Sequence, residues 1–527
     1  MSLKPHRIGK PLGGSAFYSL AISLTISKIT GFIRLIATAY ALGITASADA
    51  FNLANTTPNM IHDLVVGGLV STAIIPLFSK EYAKEKDSSI QETLSVVITY
   101  LAVLTCSATV IFELLAPWII KAYTLGMHTS FSESETTLAI WLLRFFALQV
   151  FFYGLITIAT ALLNTKGVFA PVGYSGAVSN IFQILIFLEL ALIAKHPSVN
   201  YILNHKLLLI FLGLGTTASL AVQFLYLLPS LARLKLNFSW QLVLKHPKIS
   251  EVYKIAGWNT GIVLANQVAL FIVLALASII TTGAVSAFTY AYVFFQLPFG
   301  IITVSFTSTL MPRLTRFFTT NEHAKAKALL NRSIKGNLSL LLPITALYLV
   351  LGNLIVAALL YHSHLKVAQL LLAADALKML ALGLPGFGTF FILTRAMQSY
   401  FKTRQCFILY LIENITNIIL AFLLYRSLGI KGICLSISLS YTLAAVIAVI
   451  YVVKVLKLLK GSDILTHFLK LIVISTIAGF SAAVGGATLP QSSLLKLLAD
   501  LLIGLIVGVL SFTALSIVST LTATSTK

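Results

Sequence analysis

Two cations stand inside the first apolar stretch of this chain. Lys28 and Arg34 lie in SKITGFIR, Ser27 to Arg34, and a charge embedded in a membrane is costly unless it faces a wet cavity or an anion. Ser27, Gly31 and Arg34 follow i, i+4, i+7 spacing and share one helix face, with Lys28 about 100° round from Ser27 at its margin. Arginine presents a planar fork and lysine a point charge, so the pair suits a phosphate or pyrophosphate. Gly31 permits close approach of a neighbouring helix. The alternative is that both cations snorkel to the cytoplasmic surface or pair with Asp49.

The second polar run, ADAFNLANTTPNMIHD from Ala48 to Asp63, is followed by Gly67 and Gly68. Proline and paired glycines free backbone groups, which lipid tolerates only where protein or a water-filled cavity satisfies them. Pro58, Gly67 and Gly68 therefore predict a broken, moving helix beside a cavity. Asp49 belongs either to that cavity or to an interfacial cap. His62 is either structural or, when protonated, a further cation. Far along the chain Glu413 and Asn417 stand at i, i+4 on an apolar span, where they could ligate Na⁺, carry a proton, or bond helix to helix. Arg395 lies near a predicted cytoplasmic end and reads as a headgroup contact.

The elements that must position these residues are transmembrane helices. Of 527 residues 58% are hydrophobic and only 10% charged, and the mean hydropathy is +0.95, too apolar for a soluble fold. We read an all-α polytopic membrane protein of about 14 spans, the first near 15–42, the second near 50–79 and the last two near 466–488 and 495–522. Basic residues collect in alternate loops, which places both termini in the cytoplasm by the positive-inside rule. The net charge of +21 is then explained by topology and anionic headgroups, without nucleic acid. The basic start lacks a small-residue cleavage site, so the first helix reads as an uncleaved anchor. Cys106, Cys406 and Cys434 read as buried thiols, neither a disulfide framework nor a metal cluster. No phosphate-cradling loop, zinc helix or nucleophile elbow is present, which removes ATP-driven pumps and intramembrane hydrolases and leaves no candidate catalytic residue. Echoes between STAIIPLFSKEYAKEK and STLMPRLTRFFTTNEHAKAK, and between turns carrying Lys166 and Lys402, suggest two related bundles. The expected organisation is a six-helix lobe at 1–230, a cytoplasmic linker at 231–255, a second six-helix lobe at 256–457, and a helix pair with tail at 458–527.

Taken in order, SKITGFIR, DAF…PN…GG…P, ALLNTKG followed by Asn180, Leu228-Pro229, QLPFG before Pro312, and LTRAMQSYFKTR resemble the MurJ/MviN lipid II flippases of the MOP exporter superfamily. The likeness runs from about Ser15 to Lys457, and the extra final helix pair also fits. It implies a V-shaped transporter whose first, second, seventh and eighth helices form a cationic cavity for a lipid-linked disaccharide pyrophosphate. Arg34 and Asp49 match family residues, and Lys28 stands where arginine is usual. His62 occupies another usual arginine position, Tyr292 and Val293 replace a common Asp-Arg pair, and Gly67 replaces an acidic residue. The implied activity is translocation of lipid II from the cytoplasmic to the outer leaflet of a bacterial plasma membrane by alternating access. Na⁺ or H⁺ coupling is expected and no cofactor. Anionic phospholipids and cell-wall synthesis enzymes are the expected partners besides lipid II, and the aliphatic terminal pair offers a groove for the isoprenoid tail. Alternatives are a flippase for another polyprenyl-linked oligosaccharide, a MATE-like drug/cation antiporter, which would need acidic residues central in the cavity, and a non-transporting scaffold.

Overall fold

The computed structural model describes residues 14–64, 87–124, 131–194, 197–234, 239–241, 247–360, 367–486 and 494–525, and every regular element among them is helical. In chain order the main helices are α1 Gly14–Leu42, α2 Ala46–His62, α3 Asp87–Tyr123, α4 Glu133–Thr165, α5 Ala170–Ile193, α6 Lys206–Ala232, α7 Pro247–Ser278 and α8 Ala284–Thr319. There follow α9 His323–Leu360, α10 Val367–Leu382, α11 Leu384–Ser399, α12 Thr403–Leu428, α13 Ile430–Lys454, α14 Gly461–Gly486 and α15 Leu494–Ser525. Twelve of the described helices are long and apolar enough to cross a membrane, thirteen when the bent pair α10–α11 is one span. Each matches one of the expected spans. The second expected span is helical over Ala46–His62 but too polar to count by hydropathy. Its continuation lies outside the described residues, together with Gly67 and Gly68.

The bend between α10 and α11 is 46°, and its cause is local. Pro385 cannot donate to the carbonyl of Ala381, and that carbonyl instead accepts from Thr345 Oγ1 at 3.2 Å. Just before it the Met379 and Leu380 carbonyls accept from Ser438 Oγ at 2.6 and 3.1 Å. Gly383 lets α13 come this near, because a Cβ there would stand 2.6 Å from Ser438 Cα. Side chains of neighbouring helices thus satisfy the backbone groups that the bend releases into lipid. In α8 a π turn over Phe299–Thr303 interrupts the helix.

Two compact units divide the chain, Met1–Phe271 and Ile272–Lys527. The division falls within α7 instead of in the basic stretch before it, because the first part of α7 is held by the first unit. Gln267 Nε2 donates to Asp63 Oδ2 at 3.3 Å, and the Phe271 ring lies 4.2 Å from that of Tyr123. Several tight turns close on a left-handed residue, among them Gly167 (φ 74°) after α4, Asn321 (φ 58°) after α8 and Phe401 (φ 56°) after α11. The hydrogen bonds of the first and last correspond: Val168 N to Leu163 O and Gly167 N to Asn164 O in one, Lys402 N to Met397 O and Phe401 N to Gln398 O in the other. These are helix-terminating bonds of the Schellman type. The turns that carry Lys166 and Lys402 thus share this pattern, with the left-handed residue one place after Lys166 and one place before Lys402.

The terminal pair is fastened to α9. Gly504 and Gly508 sit against Leu351, Leu347 and α14, and His467 Nε2 meets Ser339 Oγ at 3.0 Å. One sequence expectation is corrected in the side chains: Cys406 and Cys434 are buried but Cys106 is exposed. Asp500 is 1% exposed within α15, and Glu113 and Arg144 pair at 3.9 Å.

Candidate functional site

Small residues bring α1 and α5 together and so place the first candidate cation. A Cβ on Gly176 would stand 2.5 Å from Ser27 Oγ, and one on Gly31 would stand 3.3 Å from Asn180 Nδ2. Asn180 Nδ2 donates to Ser27 O at 3.0 Å and to Thr30 Oγ1 at 3.2 Å. Two turns on, the half-buried Arg34 reaches α5, and its Nη1 donates to Gln183 Oε1 at 3.5 Å. Gln183 is itself fixed, since its Nε2 donates to Ser219 Oγ of α6 at 2.7 Å and that hydroxyl donates to Thr216 O at 2.7 Å. No carboxylate pairs with Arg34 among the described residues. Its charge is therefore positioned without being neutralised, the condition under which a membrane-embedded cation attracts an anionic ligand.

A ladder of uncharged polar groups joins α2 to α4 beside it. Gln149 Nε2 donates to Asn55 Oδ1 at 3.4 Å, the Tyr153 phenol bonds with Asn59, and His62 Nε2 meets Thr157 Oγ1 at 3.0 Å. The rungs advance by about one helical turn on both helices, which is why Asn55, Asn59 and His62 face Gln149, Tyr153 and Thr157. Thr157 spends its hydroxyl proton on the Tyr153 carbonyl at 2.7 Å, so His62 Nε2 is the donor to Thr157. The other ring nitrogen, Nδ1, faces Asp63 Oδ1 at 3.4 Å. Tyr153 links the two sets, lying within electrostatic reach of Arg34 and Asp63 and 5.3 Å, ring to ring, from His62.

The structure thus brings Arg34 and His62 to one place. Lys28 lies six residues down α1, about 9 Å along its axis, exposed and with no hydrogen bond or ion pair among the described residues. Asp49 lies elsewhere again. It is 1% exposed, in the first turn of α2, and about 20 Å along the helix from His62. Thr45, not Asp49, caps that helix, accepting from Ala48 N at 3.3 Å. Electrostatically Asp49 faces Glu135, a buried residue of the capping box that starts α4. Pro58 is buried within the described length of α2. Tyr153, Thr157, Gln183 and Gln267 escaped the sequence reading, and Asp63 was seen there only as the end of the polar run. Their signal was present as Gln149, Tyr153 and Thr157 at i, i+4, i+8 in an otherwise apolar span, but uncharged residues at that spacing also occur in ordinary helix contacts.

In the second unit Glu413 and Asn417 both face α13. Ser440 Oγ donates to Glu413 Oε1 at 3.1 Å, and Ser436 Oγ donates to Asn417 Oδ1 at 2.9 Å. Glu413 is 1% exposed, and its Oε2 has no hydrogen-bond partner among the described residues. Tyr292, Tyr410 and Tyr441 surround it within electrostatic reach. No group of three or more His, Cys, Asp or Glu side chains able to hold a metal occurs among the described residues. Arg395 stacks over Phe391 at 4.7 Å and donates from Nη1 to Gln398 Oε1 at 3.0 Å.

The family model of "Lipid II flippase MurJ" matches residues 38–502 of this chain. A probable lipid II flippase MurJ of Buchnera aphidicola subsp. Schizaphis graminum is 25% identical over 388 residues, 73% of this chain and 72% of that protein. One from Rickettsia prowazekii is 24% identical over 421 residues, 80% of each. Among solved structures, a lipid II flippase MurJ in an inward closed conformation aligns with a TM-score of 0.76 at 21% identity, over 95% of this chain and 99% of that one. An inward-facing multidrug resistance MATE family transporter of the MOP superfamily aligns at 0.68 and 12% identity, over 85% and 99%. At these identities both structural likenesses are likenesses of fold.

Proposed function

Because this chain belongs to the MurJ lipid II flippase family, whose members are multi-pass inner-membrane transporters and not enzymes, we propose that it carries lipid II from the cytoplasmic to the outer leaflet by alternating access. The observation that carries this reading is Arg34, held 3.5 Å from the neutral Gln183 with no carboxylate to quench it among the described residues. A pyrophosphate arriving there would meet a positioned fork, with Lys28 as a second point charge and His62 as a third donor once it releases Thr157. Asp49 would act at the opposite end of α2 from His62, and Pro58, Gly67 and Gly68 would let the second helix rock. No covalent bond is made or broken. Net export needs a driving force, and Glu413 with Asn417 would take up Na⁺ or H⁺. The support is the buried Oε2 that lacks a partner among the described residues. Both termini face the cytoplasm in this scheme, the basic loops contact anionic phospholipids, and enzymes of cell-wall synthesis supply and consume the cargo.

A second reading, a flippase for another polyprenyl-linked glycan, is favoured by Tyr292 and Val293, which leave this part of α8 without an arginine. One experiment separates the two. Expressed in a strain depleted of its own lipid II flippase, the chain should restore growth and wall synthesis. Normal membrane insertion without rescue, together with transport of a different polyprenyl glycan, would transfer the assignment to the second reading.

A further inference from the structure

The second unit holds an aromatic track that the cation site does not use. Along α8, Phe288 and Tyr292 stack at 5.6 Å and 22°, and Tyr292 and Phe295 at 5.9 Å and 28°. Phe387 of α11 continues the series, 5.4 Å and 27° from Phe295 and 4.1 Å and 29° from Phe299. Phe391 then meets Phe299 edge-on at 5.0 Å, and Arg395 lies over Phe391. Phe288, Phe295 and Phe299 are buried, whereas Tyr292, Phe387, Phe391 and Arg395 are only partly buried. The buried rings thus form a backing and the partly buried groups a face. Phe387, Phe391 and Arg395 follow i, i+4, i+8 on α11, a run of about 12 Å.

The exposed side of α8 indicates what this face meets. One stripe is apolar, Val293, Leu297, Ile301 and Val304, as a lipid-facing strip should be. The adjacent stripe, Thr289, Tyr292 and Gln296, is polar and only partly buried, which inside a span marks water or a polar ligand. Tyr292 bonds to Gln296, so the polar edge is ordered. Arg395 has no carboxylate partner among the described residues, leaving guanidinium donors beyond the one given to Gln398 free for a ligand.

Flat aromatic faces rimmed by hydrogen-bond donors complement a pyranose ring, which offers apolar C–H faces and a hydroxyl edge. We infer that Tyr292, Phe387 and Phe391, ending at Arg395, form a stacking surface for the sugar rings of the transported head group. The inference rests on the proposed function for its cargo and concerns the sugar instead of the pyrophosphate. Ordinary aromatic core packing would account for the buried rings but not for the partly buried faces ending in an unneutralised arginine beside a polar stripe.

The test compares two lipids on the full-length protein in nanodiscs, by native mass spectrometry. Undecaprenyl pyrophosphate carries the phosphates alone, and lipid II adds the sugars and peptide. The double variant Phe387→Leu/Phe391→Leu keeps apolar bulk and should bind lipid II about three- to tenfold more weakly, in the range of an aromatic contact. Its binding of undecaprenyl pyrophosphate should stay within about twofold by the same reasoning. Phe387→Tyr/Phe391→Tyr keeps the ring faces and should bind lipid II as the wild type does. Arg34→Ala should weaken both lipids. Equal loss for both lipids, or no loss for either, in the leucine variant overturns the sugar surface while leaving the pyrophosphate site standing. Failure of the wild type to bind either lipid removes the function proposal and this inference together.

Discussion

Replacing Arg34 separates the anion site from a snorkelling cation. Its guanidinium has five N–H donors, and the structure commits one of them, at the long distance of 3.5 Å, to Gln183. A pyrophosphate bound by two of the remaining donors would gain about 1.5–3 kcal/mol per charge-assisted bond. Arg34→Ala should therefore weaken substrate binding roughly 10²- to 10⁴-fold, the sum over two such bonds at 1.4 kcal/mol per decade. Arg34→Lys keeps the charge but loses the fork, and should fall about 10- to 100-fold. Gln183→Leu leaves the charge intact but unpositioned, so its loss should be smaller than that of Arg34→Ala. Arg34→Ala should not reduce the amount of inserted protein, since removing a charge paired only with a neutral amide relieves a membrane cost of about 2.5 kcal/mol or more. The assay is lipid II flipping in proteoliposomes, normalised to protein, alongside complementation of a flippase-depleted strain. Full flipping by Arg34→Ala would refute the reasoning, and loss of Arg34→Ala protein from the membrane would show the arginine to be a structural element instead.

Other consequences are local. Gly383→Ala places a Cβ 2.6 Å from Ser438 Cα, a backbone atom that cannot yield cheaply, and should lower stability by about 1–3 kcal/mol, read as an earlier unfolding midpoint in detergent. Phe401 is 78% exposed with φ at 56°, so Phe401→Gly should relieve about 1 kcal/mol of left-handed strain and raise that midpoint; a fall would mean that the ring anchors the turn in the headgroups. Glu413→Gln preserves shape and the Ser440 contact but not the charge, and should abolish dependence of flipping on a Na⁺ or H⁺ gradient while the protein still inserts; unchanged gradient dependence would remove Glu413 from coupling. Reporters fused in the loop at Glu322 should sit in the cytoplasm and those at Gly429 outside, checked by paired phosphatase and fluorescent-protein fusions.

The helices were legible because long apolar runs have few alternatives in a membrane, and thirteen spans, the bent pair counted once, fall where hydropathy places them. The break at Gly383 was not, because Pro385 announces a lost hydrogen bond but says nothing of Thr345 and Ser438, the distant side chains that satisfy the carbonyls around the bend. The two turns that carry Lys166 and Lys402 were legible as turns, but not which residue closes each. Lysine matched lysine by type, whereas the turn is set by which residue takes a left-handed conformation, and in the second turn that residue is a phenylalanine. At the candidate site Arg34 announced itself by its cost. Tyr153 and Gln183 carry no such cost and became visible only when α4 and α5 were placed around α1.

The neutrality of those unannounced residues bears on how a cation can be kept ready for cargo. An aspartate at position 183 would hold Arg34 more firmly, but the pair would cancel the potential that attracts a phosphate, and an incoming anion would first have to displace it. A glutamine relay through Ser219 orients the guanidinium through dipoles alone. The same economy runs through Asn55–Gln149, Asn59–Tyr153 and His62–Thr157, rungs that satisfy polar groups in a lipid-embedded helix pair without adding net charge. Only Asp63 breaks the rule, and it faces His62 Nδ1 and Gln267 instead of Arg34. Gln183→Glu isolates this point: it should fix Arg34 in place more strongly than the wild type, leave the fold intact, and still depress flipping toward the level of Arg34→Ala. Wild-type flipping by Gln183→Glu would mean that free charge at Arg34 is not what the cargo meets.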